Sequence, residues 1–257
     1  MNRIDEKFKM MKENGQKAFI PYVCGGDPSL SETENIVYML EEAGCHIIEV
    51  GIPFSDPLAD GPVIQAASSR AIQNGFKLDR FFDTIKNIRK KSDVALVAMV
   101  YYSTIFGYGK EKFVENCINS GFDGIIVPDL PYEEYDEIMP LLENTNLYCI
   151  PLIAITSDKR MPMLVKNAKG FIYCVSSLGV TGERKTFDKR IFSFINKIKE
   201  QTDTPVCVGF GISRKEDVKL FEKDADGVIV GSAIVRKIFE SNGDLDKVKT
   251  FIKEINQ

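Results

Sequence analysis

Short β-branched runs alternate with helix-length amphipathic segments from one end of this chain to the other, and no other feature limits its fold so severely. Eight runs read as strands: 18–24, 47–51, 94–99, 124–127, 147–153, 171–175, 206–209 and 227–230. They are nearly continuous in apolar residues, as parallel strands covered on both faces are. Between them, 31–43, 111–120, 133–144 and 187–201 carry apolar residues at helical spacing; Val37, Leu40 and Ala43 fall on one face of the first, which Leu30 extends. Three strand entries share one grammar: Glu42-Ala43-Gly44-Cys45-His46-Ile47-Ile48, Asn119-Ser120-Gly121-Phe122-Asp123-Gly124-Ile125 and Lys223-Asp224-Ala225-Asp226-Gly227-Val228. Each is a helix end, a small-residue stop, a polar turn and a buried strand.

Eight such units in 257 residues match an α/β fold of the TIM-barrel kind, a single (β/α)₈ barrel. An open doubly wound sheet is the alternative, disfavoured because no G-x-G-x-x-G follows the first strand. With no linker or composition break, residues 1–257 are expected to form one domain. Residues 4–14 read as an extra N-terminal helix over the barrel floor, and 244–257 as the closing helix.

Composition narrows the function. The 33 basic and 37 acidic side chains give a net charge of −4, where a nucleic-acid binder would usually show a basic face. The apolar run 94–100 is far short of a membrane span, and the N-terminus lacks the apolar core of a secretory signal. Six widely spaced cysteines without a C-x-x-C pair read as buried, reduced thiols, so a cytoplasmic protein is expected. One histidine, His46, leaves no multi-histidine zinc site, and no metal is expected. His46 also precedes its strand, on the face of a barrel that serves stability. The basic run 86–91 reads as a solvated helix end.

Chemistry in a barrel belongs at the C-terminal strand ends and the loops after them. The most informative stretch there is 48–62, Ile-Glu-Val-Gly-Ile-Pro-Phe-Ser-Asp-Pro-Leu-Ala-Asp-Gly-Pro. Glu49 stands among Ile47, Ile48 and Val50 in a strand that should be buried, and a buried glutamate needs a partner or a task. Period two puts it on the face of Ile47, which opens into the barrel mouth; desolvation there would make it a proton donor near neutrality. The other reading is a structural glutamate held by Arg or Lys. Asp60 is either a catalytic carboxylate or the N-cap of the helix that Gly61-Pro62 opens. Val208-Gly209-Phe210-Gly211-Ile212-Ser213 and Val230-Gly231-Ser232-Ala233 follow strands seven and eight and lead into helices. Phosphate sites of barrels are built there, although glycines in tight turns give the same pattern. Gly179-Val180-Thr181-Gly182 adds a third possible wall.

Segment 48–62 closely resembles the most characteristic stretch of the tryptophan synthase α subunit family. The likeness continues through Pro21-Tyr22-Val23-Cys24-Gly25-Gly26-Asp27-Pro28, Pro128-Asp129-Leu130-Pro131, Ser176-Ser177-Leu178-Gly179-Val180-Thr181-Gly182, Gly209-Phe210-Gly211-Ile212-Ser213 and Gly231-Ser232-Ala233-Ile234-Val235. The resemblance implies a carbon–carbon lyase of tryptophan biosynthesis that splits indole-3-glycerol phosphate into indole and glyceraldehyde 3-phosphate by a retro-aldol reaction. It implies Glu49 as the acid that protonates indole C3 and then as the base for the glyceryl hydroxyl. Asp60 would stabilise the charge at the indole N–H, with Tyr173 as a supporting tyrosine. Gly182, Gly211, Gly231 and Ser232 would bind phosphate with Phe210 alongside; Tyr22, Met99, Tyr101, Ile126 and Ile153 would line the indole pocket. Thr181 would belong to the loop that closes over substrate, and Pro53 and Asp56 to the contact with a β subunit. The implied assembly is an α₂β₂ complex whose β subunit carries pyridoxal phosphate, with no cofactor on this chain. A stand-alone lyase without a β partner is the alternative.

Overall fold

The computed structural model describes residues 1–157, 160–176 and 188–256. Its parallel strand segments are β1 (Ala18–Cys24), β2 (Ile47–Gly51), β3 (Ala95–Met99), β4 (Gly124–Ile126), β5 (Tyr148–Cys149), β6 (Leu152–Ala154), β7 (Ile172–Val175), β8 (Val206–Gly209) and β9 (Gly227–Val230). They stand in the order β5-β4-β3-β2-β1-β9-β8-β7-β6. Every neighbour is the next strand in sequence, and the first pairs with the last. That order excludes the doubly wound sheet, whose strand order reverses at a switch point.

The expected fifth strand, 147–153, is present in two pieces. Ile150 N–H donates to the Ile125 carbonyl, and the Pro151 carbonyl accepts from Tyr173 N–H. The chain thus passes from the β4 side to the β7 side between these residues, where Pro151 has no N–H to give. β5 and β6 are one barrel strand, and they complete an eight-stranded ring.

Period-two alternation sorts the strands into two cores. Ile48, Val50, Leu96, Ala98, Ile125, Cys174 and Val208 pack outward among the helices. Ile47, Val97, Ile126, Tyr173, Cys207 and Ile229 face inward, and the helix Arg3–Glu13 lays Ile4, Phe8 and Met11 against them as a floor. This helix is pinned by Asn2, which donates to the Asp123 carbonyl at 2.8 Å, and by Arg3 on the Asp123 carboxylate at 3.0 Å. In the run 86–91 the lysines Lys86, Lys90 and Lys91 are solvated as expected, and Arg89 is the exception: its side chain is only 10% exposed, bonded to Asp123 and to the carbonyl of Gly121.

Helix boundaries moved where local chemistry demanded it. The segment 133–144 is not one helix but a 3₁₀ stretch Tyr132–Glu137 followed by Met139–Leu142. Pro140 lacks the N–H an α-helix needs there and is tolerated only in a first turn, so the helix restarts beside it. Residues 31–43 form Leu30–Glu42, capped by the Ser29 hydroxyl, and the closing helix is Leu245–Ile255, capped by Asp244. Among the described residues no helix is long and apolar enough to cross a membrane. All six cysteines are free thiols.

Candidate active site

A cavity opens at the C-terminal ends of the strands, with about 470 Å³ of empty space counting its mouth. Of the residues expected at a site, Glu49, Asp60, Tyr173, Tyr22, Met99, Phe210, Gly211, Gly231 and Ser232 line it. They come from β1, β2, β3 and β7, from the loops after β2 and β8, and from the turn after β9. Ile64, Ile212 and Ile229 line it too. Sequence reasoning missed these three; Ile229 was legible as an inward residue two positions before the glycine of the last strand's turn.

Glu49 sits mid-strand in β2, paired in register with Tyr22 of β1 and Val97 of β3. It is 1% exposed, and neither carboxylate oxygen accepts a hydrogen bond from the described residues. The alternative of a structural glutamate held by a cation therefore finds no cation among them. Burial pushes its pKa up to about 8, and the charge of Asp60 adds to the rise. A carboxyl so placed is a neutral acid at pH 7.

Asp60 is not an N-cap. The helix Pro62–Gln73 starts from Gly61, with no side-chain cap bond. The Asp60 carboxylate instead turns toward Tyr101, whose hydroxyl donates to Oδ2 at 3.0 Å. That same hydroxyl accepts from Ala59 N–H at 3.1 Å, and the Tyr101 ring stacks on Phe54 with centroids 4.9 Å apart. The proline-rich loop after β2 is thus folded back on Tyr101, which fixes where Asp60 points. Tyr101 was expected among the indole-pocket residues; the structure gives it this supporting position behind Asp60. Removing the hydroxyl in Tyr101→Phe is expected to lower kcat by about tenfold while leaving the fold intact, because the charge-assisted bond to a buried carboxylate and the bond from Ala59 N–H are both lost. Steady-state kinetics with a melting curve checks it.

Two glycines make room for the cavity's tyrosines. A Cβ at Gly51 would overlap the Tyr22 hydroxyl, and one at Gly209 would overlap that of Tyr173. Tyr173 stands edge-on to Phe210, with ring centroids 5.9 Å apart. Burial raises its pKa well above the ordinary tyrosine value, and the charges of Glu49 and Asp60 add to this, so its hydroxyl stays a neutral donor.

Phe210 and Gly211 both adopt positive φ, 73° and 91°. For a phenylalanine that conformation costs roughly 1–3 kcal/mol and persists where its surroundings over-determine it. Its carbonyl accepts from the Ser176 hydroxyl, and its ring is held by Tyr173. Beside this turn, Gly231 precedes the helix Ser232–Glu240. A Cβ at Gly231 would meet Tyr22 only at 3.5 Å, an ordinary contact, so the fold itself leaves room for a side chain there. The open N-terminus of that helix offers N–H groups and a positive dipole end to an anion.

Other expected positions fall elsewhere. Ile126 is buried in the inward cluster next to Met99 without lining the cavity. Ile153 faces the helices in the outward cluster; its strand neighbours Leu152 and Ala154 hold the inward positions. In the loop after β2, Pro53 is buried and Asp56 exposed. His46 lies at the opposite end of the barrel, before β2. Thr181, Gly182 and the pair Ser177-Leu178 lie outside the described residues.

The family model described as "Tryptophan synthase alpha chain" matches residues 8–257. A tryptophan synthase alpha chain from Clostridium beijerinckii is 46% identical over 257 residues, covering 100% of this chain and 98% of the relative. One from Thermoanaerobacter sp. (strain X514) is 45% identical over 260 residues, covering 100% and 99%. Among solved structures, Mycobacterium tuberculosis tryptophan synthase aligns with a TM-score of 0.90 and 30% identity, over 99% of this chain and 97% of that one.

Proposed function

This chain belongs to the tryptophan synthase alpha chain family, and on that premise we propose that it is a carbon–carbon lyase whose cavity splits indole-3-glycerol phosphate into indole and glyceraldehyde 3-phosphate. The observation that carries the reading is Glu49, a carboxyl buried in the cavity without a hydrogen-bond partner among the described residues and with its pKa at about 8. A retro-aldol cleavage of an indole needs such a neutral acid beside the ring.

Glu49 gives its proton to indole C3, and the positive charge that appears on the ring nitrogen is met by Asp60, held in place by Tyr101. The Glu49 carboxylate then takes the proton of the glyceryl hydroxyl. The bond between indole C3 and the hydroxyl-bearing carbon breaks, its electrons return to the ring, and the hydroxyl becomes the aldehyde. Glu49 ends protonated, as it began. Two carboxylates in different surroundings divide the work, one kept neutral by burial and the other turned to a hydrogen-bond donor. The Tyr173 hydroxyl supports the site as a neutral donor. Gly211, Gly231 and Ser232 hold the phosphate at the helix N-terminus, with Phe210 alongside. Tyr22, Met99 and Ile64 give the ring apolar walls. We assign phosphate binding to Gly182 and loop closure to Thr181 on the family resemblance alone.

In this family the alpha chain works beside a beta chain, and pyridoxal phosphate belongs to the beta chain. We read Pro53 and Asp56 as part of the contact with it; Leu58 in the same loop is 75% exposed. The assembly is read as α₂β₂. We also read residues 1–257 as one domain, since helices near both chain ends pack on the same barrel, and place it in the cytoplasm, a reading supported by six free thiols.

Indole release from indole-3-glycerol phosphate by the purified chain tests the proposal. Turnover is expected alone and to rise when beta chain is added; no indole under either condition overturns it. Activity unchanged by beta chain would favour the stand-alone lyase. A pH dependence follows from the same carboxyl. The acid acts protonated, so kcat/KM is expected to fall as pH rises through about 8. A profile flat to well above that value contradicts the assignment of Glu49 as the acid.

A further inference from the structure

The loop after β1 carries Asp27, a buried carboxylate that takes two parallel bonds from Arg70, Nε to Oδ1 at 2.9 Å and Nη2 to Oδ2 at 2.7 Å. The same guanidinium lies over the Phe239 ring, its Cζ 4.3 Å from the centroid. Arg70 belongs to the helix Pro62–Gln73 and Phe239 to the helix Ser232–Glu240. One side chain therefore ties three segments together, and each of them continues to the cavity. Gly25 N–H of the β1 loop donates at 2.8 Å to the carbonyl of Gly51, at the end of the strand that carries Glu49. The helix of Arg70 starts directly after Asp60 and Gly61. The helix of Phe239 starts at Ser232.

The space between this clamp and the cavity is filled by a small separate apolar cluster: Tyr22, Cys24, Ile64, Ala67, Ala71 and Val235. Tyr22 and Ile64 line the cavity itself. A second tie joins Asn74 to the Pro28 carbonyl at 2.9 Å, and a Cβ at Gly26 would meet the Phe76 ring, so the loop is held close beside the clamp.

We propose that Arg70 is a positioning residue for the reaction, setting where the Ser232 helix start and Asp60 stand relative to Glu49. The proposal rests on the function argued above and adds a residue that need not touch substrate. Arginine suits the task because a planar fork makes both carboxylate bonds and stacks on a ring at once; lysine makes point contacts only. Displacements of about 1 Å in such supports cost on the order of 10²-fold in rate.

The test compares wild type, Arg70→Met, Arg70→Lys and Phe239→Leu, each assayed in complex with beta chain. It reads kcat and KM for indole-3-glycerol phosphate, the inhibition constant of inorganic phosphate, and the melting temperature. Arg70→Met is expected to raise KM and the phosphate inhibition constant together by about tenfold and to lower kcat by up to about 10²-fold, with Arg70→Lys recovering part of the loss. Phe239 is 57% exposed; Phe239→Leu should leave melting unchanged and raise both constants by about threefold, and it carries the test if Arg70→Met fails to fold. Variants that lose only thermal stability, with both constants within about twofold of wild type, overturn the clamp. A wild-type complex that releases no indole overturns the functional reading instead.

Discussion

Replacing Glu49 with glutamine is expected to reduce indole release by about 10³-fold or more, the upper range for removal of a general acid that also serves as the base. Glutamine keeps the shape of the side chain, so KM should change little and the barrel should stay folded. The prediction has a second signature, in stability. Burial raises the Glu49 pKa from 4.5 to about 8. Between those values the unfolded chain has lost the proton that the folded chain retains, so folding stability falls as pH rises. Below pH 4.5 both states are protonated and the penalty vanishes; above about 8 it is constant, on the order of a few kcal/mol. Glutamine does not ionise. Glu49→Gln should therefore gain stability relative to wild type as pH increases from 5 to 8, while losing activity at every pH in that window. Chemical denaturation at the two ends of the window, with an indole assay on the same samples, checks both halves.

Asp60→Asn is expected to lower kcat by about 10²-fold, the usual scale for loss of one electrostatic partner aimed at charge that develops in the transition state. An amide accepts the Tyr101 hydroxyl bond as a carboxylate does, so the loop after β2 should keep its fold on Tyr101 and Phe54. The charge is what disappears. KM should shift far less than kcat, because the ring nitrogen is uncharged in the ground state and becomes cationic only after C3 is protonated. The substitution also removes the charge that adds to the rise at Glu49, so the alkaline limb of the pH profile should move to lower pH. A KM effect as large as the kcat effect would instead make Asp60 a ground-state binding residue.

The barrel was legible because its strands, buried on both faces, leave continuous apolar runs that helices separate. The break between β5 and β6 was not, since one proline in a sound strand run reads the same whether the strand ends or changes partners. Pro140 was a visible breaker inside 133–144, and the apolar spacing on either side of it masked the break. Glu49 stood out as a charge inside a strand; what the fold adds is that no described side chain answers it. Asp60 stayed ambiguous between cap and catalyst, because a carboxylate just before Gly-Pro fits either reading, and Gly61 removes the cap reading by taking the cap position. The place of Tyr101 behind Asp60 depends on a contact across 41 residues, which spacing cannot carry. Ile153 was expected in the pocket from the resemblance alone, and its side chain lies among the helices.

The central claim is that Glu49 stands neutral in the cavity at neutral pH, ready to give a proton. Carboxyl infrared spectra of wild type minus Glu49→Gln, recorded across pH 5 to 10, isolate that one group. The predicted result is a protonated-carboxyl band present at pH 7 and lost with a midpoint at about 8; a carboxylate band already complete at pH 6, titrating near the ordinary value of 4.5, would contradict it.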